Sequence, residues 1–127
     1  MNTDKEEPLF RAQSQQIVGS AMEVLNEIGH GFHEKPYENA LVIEFRLRGI
    51  PFVQQKQFDI LYKHEKAGDY IPDLIAYERI VVDTKVIFSI TDREVGQMMN
   101  YLKVTGLRLG YILNFKQPKL EWKRVVQ

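Results

Sequence analysis

The stretch Ile80-Val81-Val82-Asp83-Thr84-Lys85-Val86-Ile87-Phe88 decides the fold of this chain of 127 residues. Its apolar and β-branched residues predict a strand that is buried on both faces or nearly so. A buried charge without a partner is costly, so Asp83 and Lys85 need a structural or chemical reason to be there. The two-residue period of a strand places both side chains on one face, about 7 Å apart along the strand. Because Asp73 lies nearby in the sequence, we consider a site built from charges on neighbouring strands.

The charge balance gives little sign of a binding partner. Seventeen basic and seventeen acidic residues cancel, so no overall field favours nucleic acid. The segment after residue 102 is more basic, with one acid, Glu121, against Lys103, Arg108, Lys116, Lys119, Lys123 and Arg124. A solvated surface is the simpler interpretation of this segment, ahead of a phosphate-binding track.

The residue types also exclude several classes of protein. The chain has no cysteine, which rules out disulfides, cysteine-ligated zinc and iron–sulfur clusters. No apolar run approaches the ~20 residues needed to cross a bilayer, and the first ten residues are too polar for a signal peptide. We therefore expect a soluble, cytoplasmic protein without membrane contact.

The sequence pattern predicts a single α/β domain over residues 12–127, preceded by a flexible N-terminus over residues 1–11. Apolar periodicity predicts one helix that ends at Gly29, a second from about Pro36 to Gly49, and a third that begins with the capping box Thr91-x-x-Glu94. The predicted strands are Phe52–Tyr62, Tyr70–Tyr77 after a turn at Gly68-Asp69, Arg79–Phe88, Leu109–Phe115 and Leu120–Val126. The expected order is therefore two helices, three strands, a helix and two strands.

Asp73, Asp83 and Lys85 form a sensible constellation for hydrolysing a phosphodiester. Mg²⁺ and Mn²⁺ prefer oxygen ligands from one or two carboxylates, completed by water and substrate phosphate. Such an ion activates a bound water, and a lysine beside it can hold or deprotonate that water or neutralise charge on the phosphate. The alternative is an ion pair between Asp83 and Lys85 with Asp73 in a turn. The residue types alone leave both interpretations open.

The metal hypothesis makes a geometric demand on the hairpin between the two aspartates. A two-residue loop at Glu78-Arg79 would set Asp73 opposite residue 84, facing away from Asp83. A shared face requires a loop of odd length or a bulge near Pro72.

Two helices carry further polar residues. Glu34 and Glu38 lie one turn apart at the start of the second helix, where the pattern alone favours ordinary helix-start charge. Gln97 and Tyr101 share a face of the third helix. Each could reach a phosphate or a metal-bound water, or could equally be a polar edge on a packed helix.

The ordered motifs resemble the GxxExxY protein family, a branch of the PD-(D/E)XK nuclease superfamily. The signature Gly-x-x-Glu-x-x-Tyr is present at 31–37, and the likeness covers about Ile17 to Val126. It continues through Ile71-Pro72-Asp73-Leu74, Val81-Val82-Asp83-Thr84-Lys85, Gln97-Met98-Met99-Asn100-Tyr101-Leu102 and Gly110-Tyr111-Ile112-Leu113-Asn114-Phe115. The resemblance implies a restriction-endonuclease-like core, with a mixed central sheet flanked by helices.

The resemblance also implies roles for individual residues. Asp73, Asp83 and Glu34 are implied as ligands of Mg²⁺ or Mn²⁺, Lys85 as the catalytic lysine, and Gln97 as a residue beside the active site. Glu38 and Tyr101 are possible accessory residues. One departure is Asp83, where relatives usually carry the longer glutamate.

Two functions stay open at this stage. One is a Mg²⁺-dependent nuclease that acts on DNA or RNA. The other is a catalytically inactive nuclease-fold domain that binds nucleic acid or a protein partner. The sequence leaves the oligomeric state open and allows a homodimer.

Overall fold

The computed structural model describes residues 9–127 and contains three helices and seven strands in that range. They are α1 (Arg11–Ile28), α2 (Glu34–Arg48), β1 (Phe52–Gln54), β2 (Phe58–Tyr62), β3 (Glu65–Tyr70), β4 (Leu74–Ala76), β5 (Ile80–Lys85), α3 (Asp92–Thr105), β6 (Leu109–Asn114) and β7 (Glu121–Val126). The order of two helices, a block of strands, a helix and two strands confirms the predicted α/β fold class. None of these helices is long and apolar enough to cross a membrane.

Five strands form a mixed sheet in the order β1-β4-β5-β6-β7, and β2 pairs with β3 in a separate two-stranded arm. β5 and β6 run parallel, whereas the other neighbours in the main sheet are antiparallel. A parallel pair needs a crossover connection, and α3 supplies it. β5 is therefore central, and its Ile80, Val81 and Val82 are fully buried.

The sheet has an apolar core on each face. α1 and α2 pack on one face, where Ile17, Leu41 and Phe45 are fully buried. α3 covers the other face, where Val81 packs with Met98. Gly110 of β6 leaves room for Met98 of α3, because a Cβ there would lie 2.5 Å from the Met98 sulfur and the side chain would have to move.

Local signals explain where the helices begin and end. The capping box at α3 is present, since Thr91 accepts from the Arg93 backbone while Glu94 accepts from the Thr91 backbone at 2.8 Å. Gly49 ends α2 with φ 71°, a left-handed conformation in which glycine carries no steric penalty. The helix begins at Glu34, two residues before the predicted start at Pro36.

The segment between α2 and α3 is divided more finely than the sequence suggested. The predicted strand Phe52–Tyr62 was wrong as one element, because Gln55 adopts a left-handed φ of 58° and separates β1 from β2. The turn predicted at Gly68-Asp69 was also wrong, since both residues lie within β3. The arm turns instead at Lys63-His64, where φ values of 50° and 71° fit a type I′ hairpin without any glycine.

The strands around the two aspartates are shorter than predicted. Tyr70 ends β3, and β4 covers only Leu74–Ala76 of the predicted strand Tyr70–Tyr77. β5 covers Ile80–Lys85 and not the whole of Arg79–Phe88. The flexible terminus predicted for residues 1–11 lies largely outside the described residues, and its last residue, Arg11, begins α1.

Candidate active site

The hairpin of β4 and β5 brings the two aspartates together. Leu74 lies opposite Val82, so the next position of the same register sets Asp73 opposite Asp83. Three residues, 77–79, form the loop between the paired ends of the strands. An odd loop length is one of the two arrangements that allow a shared face.

Lys85 links β5 to α3 through its side chain. Side chains alternate along β5, so Asp83 and Lys85 lie on the same face as Val81, the face that α3 covers. Lys85 Nζ lies 3.3 Å from Asp83 Oδ2 and donates to Gln97 Oε1 at 3.2 Å. The Asp83 side chain is 15% exposed and the Lys85 side chain 19% exposed, so solvent still reaches both.

The surroundings of Asp83 raise the pKa of its carboxyl group. Burial raises the pKa of Asp83 to about 7, opposed by Lys85 and reinforced by the Asp73 carboxylate. Burial would lower the pKa of Lys85, but Asp83 and, more weakly, Glu34 outweigh it and raise that pKa overall. Lys85 is therefore a stable cation at neutral pH.

Asp73 is fixed in orientation by the strand beside it. Its Oδ2 accepts a hydrogen bond from the backbone N–H of Thr84 at 2.9 Å and another from the Thr84 hydroxyl at 2.8 Å. Two bonds to one oxygen prevent the carboxylate from rotating away from Asp83.

The pair of carboxylates fits a hard divalent cation. Mg²⁺ and Mn²⁺ take one or two carboxylates and keep several waters, and a largely buried carboxylate with a raised pKa gains from a nearby positive charge. Within residues 9–127, no three His, Cys, Asp or Glu side chains are grouped closely enough to hold an ion by themselves. Glu34 therefore does not complete a ready-made triad with Asp73 and Asp83 in this arrangement.

Glu34 is nevertheless on the same side of the molecule as the lysine. It is the first residue of α2, is exposed, and lies near enough to Lys85 to contribute to the raised pKa of that group. The fully buried Tyr37 holds the segment before it. Its hydroxyl donates to the carbonyl of Gly29 at 2.7 Å and accepts from the N–H of Phe32 at 3.3 Å.

Glu38 occupies a different place. It is 3% exposed, and its carboxylate accepts from Lys35 Nζ at 3.1 Å, from Gln54 Nε2 at 2.6 Å and from Gln55 Nε2 at 2.9 Å. The backbone N–H of Gln55 in turn donates to the carbonyl of Asp73 at 3.1 Å. Glu38 thus ties α2 to the end of β1, next to the residue that precedes β4.

Tyr101 stacks on Tyr70 at a centroid distance of 3.8 Å and an interplanar angle of 12°. Burial raises the pKa of Tyr70, and the nearby Asp83 raises it further. The Tyr70 hydroxyl is buried and, within residues 9–127, has no hydrogen-bond partner. Tyr70 therefore lies close to both Asp83 and Asp73, each of which raises its pKa.

Sequence reasoning missed Tyr70 and Thr84 as parts of this site. Thr84 could have been found from its position between the two charges of β5. Tyr70 offered no such signal, because its contact with Tyr101 joins the arm to α3 across 31 positions of the chain.

Comparison with known proteins agrees with the fold. A family model described as the PD-(D/E)XK nuclease superfamily matches residues 11–125. The crystal structure of SSO0001 superposes with a TM-score of 0.56 at 12% sequence identity, covering 98% of this chain and 59% of that one. At this identity the likeness shows the fold alone, and the present chain spans about 59% of that protein's length. A search of curated proteins found no match.

The match over residues 11–125 includes both aspartates, the lysine and the helix that carries Gln97. It also includes the mixed sheet and all three helices. The chain belongs to the PD-(D/E)XK nuclease superfamily.

Proposed function

We propose that this protein is a divalent-metal-dependent nuclease that hydrolyses phosphodiester bonds in DNA or RNA. One observation carries the proposal: the β4–β5 register sets Asp73 beside Asp83, with Lys85 Nζ 3.3 Å from Asp83 and within reach of solvent. Membership of the nuclease superfamily supports the same chemistry. Our finer assignment to the GxxExxY branch remains a proposal that rests on the signature at 31–37.

In this proposal Asp73 and Asp83 hold Mg²⁺ or Mn²⁺. A bound ion would supply Lewis-acid stabilisation of the phosphate and a water of lowered pKa. Thr84 keeps the Asp73 carboxylate oriented, and Gln97 keeps the Lys85 ammonium beside the site. Glu34 is proposed as a group that reaches the site only when substrate and ion are present, because it is exposed and not part of a preformed triad.

In the metal-free protein, Lys85 is suited to stabilise negative charge. Its pKa is raised, so it remains an ammonium at neutral pH and can neutralise charge that develops on the phosphate. It can also orient the attacking water by donating a hydrogen bond to it. A divalent cation held by Asp73 and Asp83 would lower the pKa of Lys85, so the general-base role remains a prediction from the sequence.

The test is a cleavage assay with single- and double-stranded DNA and RNA in Mg²⁺, Mn²⁺ or EDTA. We expect metal-dependent cleavage by the wild type and a loss of about 100-fold or more in Lys85→Ala and Asp83→Asn. Arg108→Ala is the control, because Arg108 is exposed and precedes β6 at the end of the sheet opposite Lys85. Equal cleavage by wild type and Lys85→Ala would contradict the proposal.

A second candidate is a catalytically inactive domain that binds nucleic acid or a protein. Two observations favour it: the net charge is zero, and no ready three-ligand cluster exists within residues 9–127. Nucleic-acid binding without cleavage under every metal condition would support this candidate. The cytoplasmic location and a possible homodimer remain predictions from the sequence.

A further inference from the structure

A cleft of about 430 Å³ adjoins the candidate active site. It lies where the start of α2, the end of β5 and the loop after β6 meet, and is lined by Gly31, Phe32, His33, Glu34, Val86 and Lys116. Glu34, the first residue of α2, lines the cleft, and the lining residue Val86 directly follows Lys85. The volume falls within the ~300–1,000 Å³ range of small-ligand pockets, so it can admit a nucleobase with its sugar.

Phe32 is an exposed aromatic that is held in place. It is 52% exposed, yet its N–H donates to the Tyr37 hydroxyl and its ring meets the Tyr37 ring edge-on, with centroids 6.2 Å apart at 63°. Tyr37 stacks on Phe115 at 4.5 Å and 8°, and the N–H of Phe115 donates to the carbonyl of Lys85 at 2.9 Å. The exposed ring is therefore fixed relative to the lysine, which lowers the entropy lost when a ligand stacks on it.

Phe88 is a second exposed aromatic, on the loop that leaves the site. At 84% it has the largest exposed fraction among the large hydrophobic side chains in the described residues. Its loop is anchored on both sides of it. The N–H and carbonyl of Ile87 are both bonded to the Asn114 side chain, and the N–H of Ile90 donates to Glu121 Oε1 at 3.0 Å. Phe88 is not one of the residues that line the cleft, but it follows the lining residue Val86 by two positions on a loop anchored on both sides.

The cleft lining has one basic side chain, Lys116, and one carboxylate, Glu34. Lys116 is exposed, and none of the ion pairs found in residues 9–127 includes it. Its backbone is fixed, since its N–H donates to Asn114 Oδ1 at 3.3 Å. Lys119, in the same loop, is exposed as well. A cation beside an aromatic face can pair with a phosphate while the neighbouring base stacks.

We propose that this cleft, together with the neighbouring loop that carries Phe88, binds an unpaired strand of nucleic acid and sets a single-strand preference for the enzyme. Bases of the strand stack on Phe32 and Phe88, and Lys116 faces the phosphate that leads to the carboxylates. In a duplex the bases are stacked on one another and their faces are not available to these rings. The inference rests on the proposed nuclease function and adds the class of its substrate.

The experiment measures binding apart from cleavage. A fluorescent oligothymidylate of 12 nucleotides, its duplex with oligoadenylate, and the corresponding RNA strand are titrated by anisotropy in EDTA at low salt. We expect the wild type to bind either single strand more tightly than the duplex. Phe32→Ala and Phe88→Ala should each weaken single-strand binding by roughly 10-fold, or about 1.4 kcal/mol, which is the scale of one lost base–aromatic stack.

Control variants make the outcome decisive. Leu47→Ala removes an exposed apolar side chain (78% exposed) near the other end of α2, about 20 Å from Glu34, and should bind as the wild type does. Phe88→Trp should retain binding, whereas Phe88→Leu should not, because stacking needs a ring. Lys116→Gln should weaken binding and reduce its salt dependence, while Arg108→Gln should not.

The experiments distinguish failure of the single-strand inference from failure of the proposed nuclease function. Duplex preference, no binding to any strand, or equal loss in Leu47→Ala and Phe88→Ala would overturn the single-strand inference even if cleavage is found. Ring-dependent single-strand binding without cleavage under any metal condition would support the inference and contradict the nuclease proposal. Both phenylalanine changes are at exposed positions, and thermal unfolding of each variant verifies that it is folded.

Discussion

The Thr84 hydroxyl and backbone N–H both donate to the same oxygen of Asp73, at 2.8 and 2.9 Å. β5 thus supplies Asp83 and Lys85 from one face and also orients the carboxylate that stands opposite. Thr84 itself is 2% exposed, so its hydroxyl has little access to water as a replacement partner.

Replacing Thr84 by valine should therefore lower both the stability of the protein and its affinity for Mg²⁺. The substitution removes one charge-assisted hydrogen bond and should lower the free energy of unfolding by about 1–3 kcal/mol. Urea unfolding measures this, and Thr84→Ser, which keeps the hydroxyl, is the control. Mg²⁺ binding measured by calorimetry should also weaken in the valine variant, because Asp73 is less well oriented; unchanged binding would mean that the Thr84 hydroxyl is not needed to orient Asp73 for the ion.

The raised pKa of Asp83 predicts how stability depends on pH without metal. Its folded-state value of about 7 exceeds the ordinary 3.8, so between these values the folded state binds more protons than the unfolded state. The contribution is fully present below about pH 4 and is lost as the pH rises through 7. One such group changes the free energy of unfolding by up to about 1.4 kcal/mol per pH unit.

Urea unfolding in EDTA at pH 5, 6, 7 and 8 tests this prediction. The wild type should lose stability relative to Asp83→Asn across this series, because asparagine has no charge to bury. Mg²⁺ added at pH 8 should stabilise the wild type and leave Asp83→Asn nearly unchanged. Parallel pH profiles for the two proteins would show that Asp83 does not titrate in this range.

Tyr37→Phe should separate the two roles of this tyrosine. The ring keeps its stack on Phe115, whereas the carbonyl of Gly29 and the N–H of Phe32 lose their shared partner. We expect a loss of about 1–3 kcal/mol in the free energy of unfolding. Tyr62→Phe, at an exposed position of the arm, should change it very little. Equal effects of the two changes would show that the hydroxyl of Tyr37 does not hold the segment before α2.

Glu78→Gly should stabilise the protein. Glu78 has φ 61°, a left-handed backbone that is unfavourable for a residue with a Cβ. Glycine accepts this conformation without a steric penalty, so we expect a gain of about 0.5–1 kcal/mol in thermal or urea unfolding. Arg79→Gly, one position further and outside the left-handed residues, should destabilise instead. A loss of stability in Glu78→Gly would contradict the idea that this loop is strained.

The parts of the molecule that the sequence predicted well have strong local signals. The apolar run of β5, the capping box at Thr91 and the glycine that ends α2 each act within a few residues. The arm was misread because its turn at Lys63-His64 has left-handed residues without the usual glycine or asparagine. The break at Gln55 was not predicted for the same reason, because Gln55 is left-handed but is neither glycine nor asparagine.

The candidate site was predictable in residue type and less so in geometry. Asp73, Asp83 and Lys85 could be named from the sequence, but the loop length that sets the two aspartates opposite each other could not. Glu38 shared the pattern of Glu34, and only the structure shows that it is enclosed by Lys35, Gln54 and Gln55. Long-range contacts such as Tyr70 on Tyr101 depend on the packing of the arm and leave no mark in local sequence.

The three-residue length of the loop at 77–79 offers a further criterion for judging whether a relative of this chain can form the proposed metal site. Removing one residue from it would exchange the faces of β4 and turn Asp73 away from Asp83, although every residue of the motif would still be present. Under the proposed function, a relative with the full set of carboxylates and lysine but an even loop and no compensating bulge would lack the shared face of the two aspartates, although its motif would be complete. The number of residues between the two strands therefore tests the proposed metal site in a way that the charged residues alone do not.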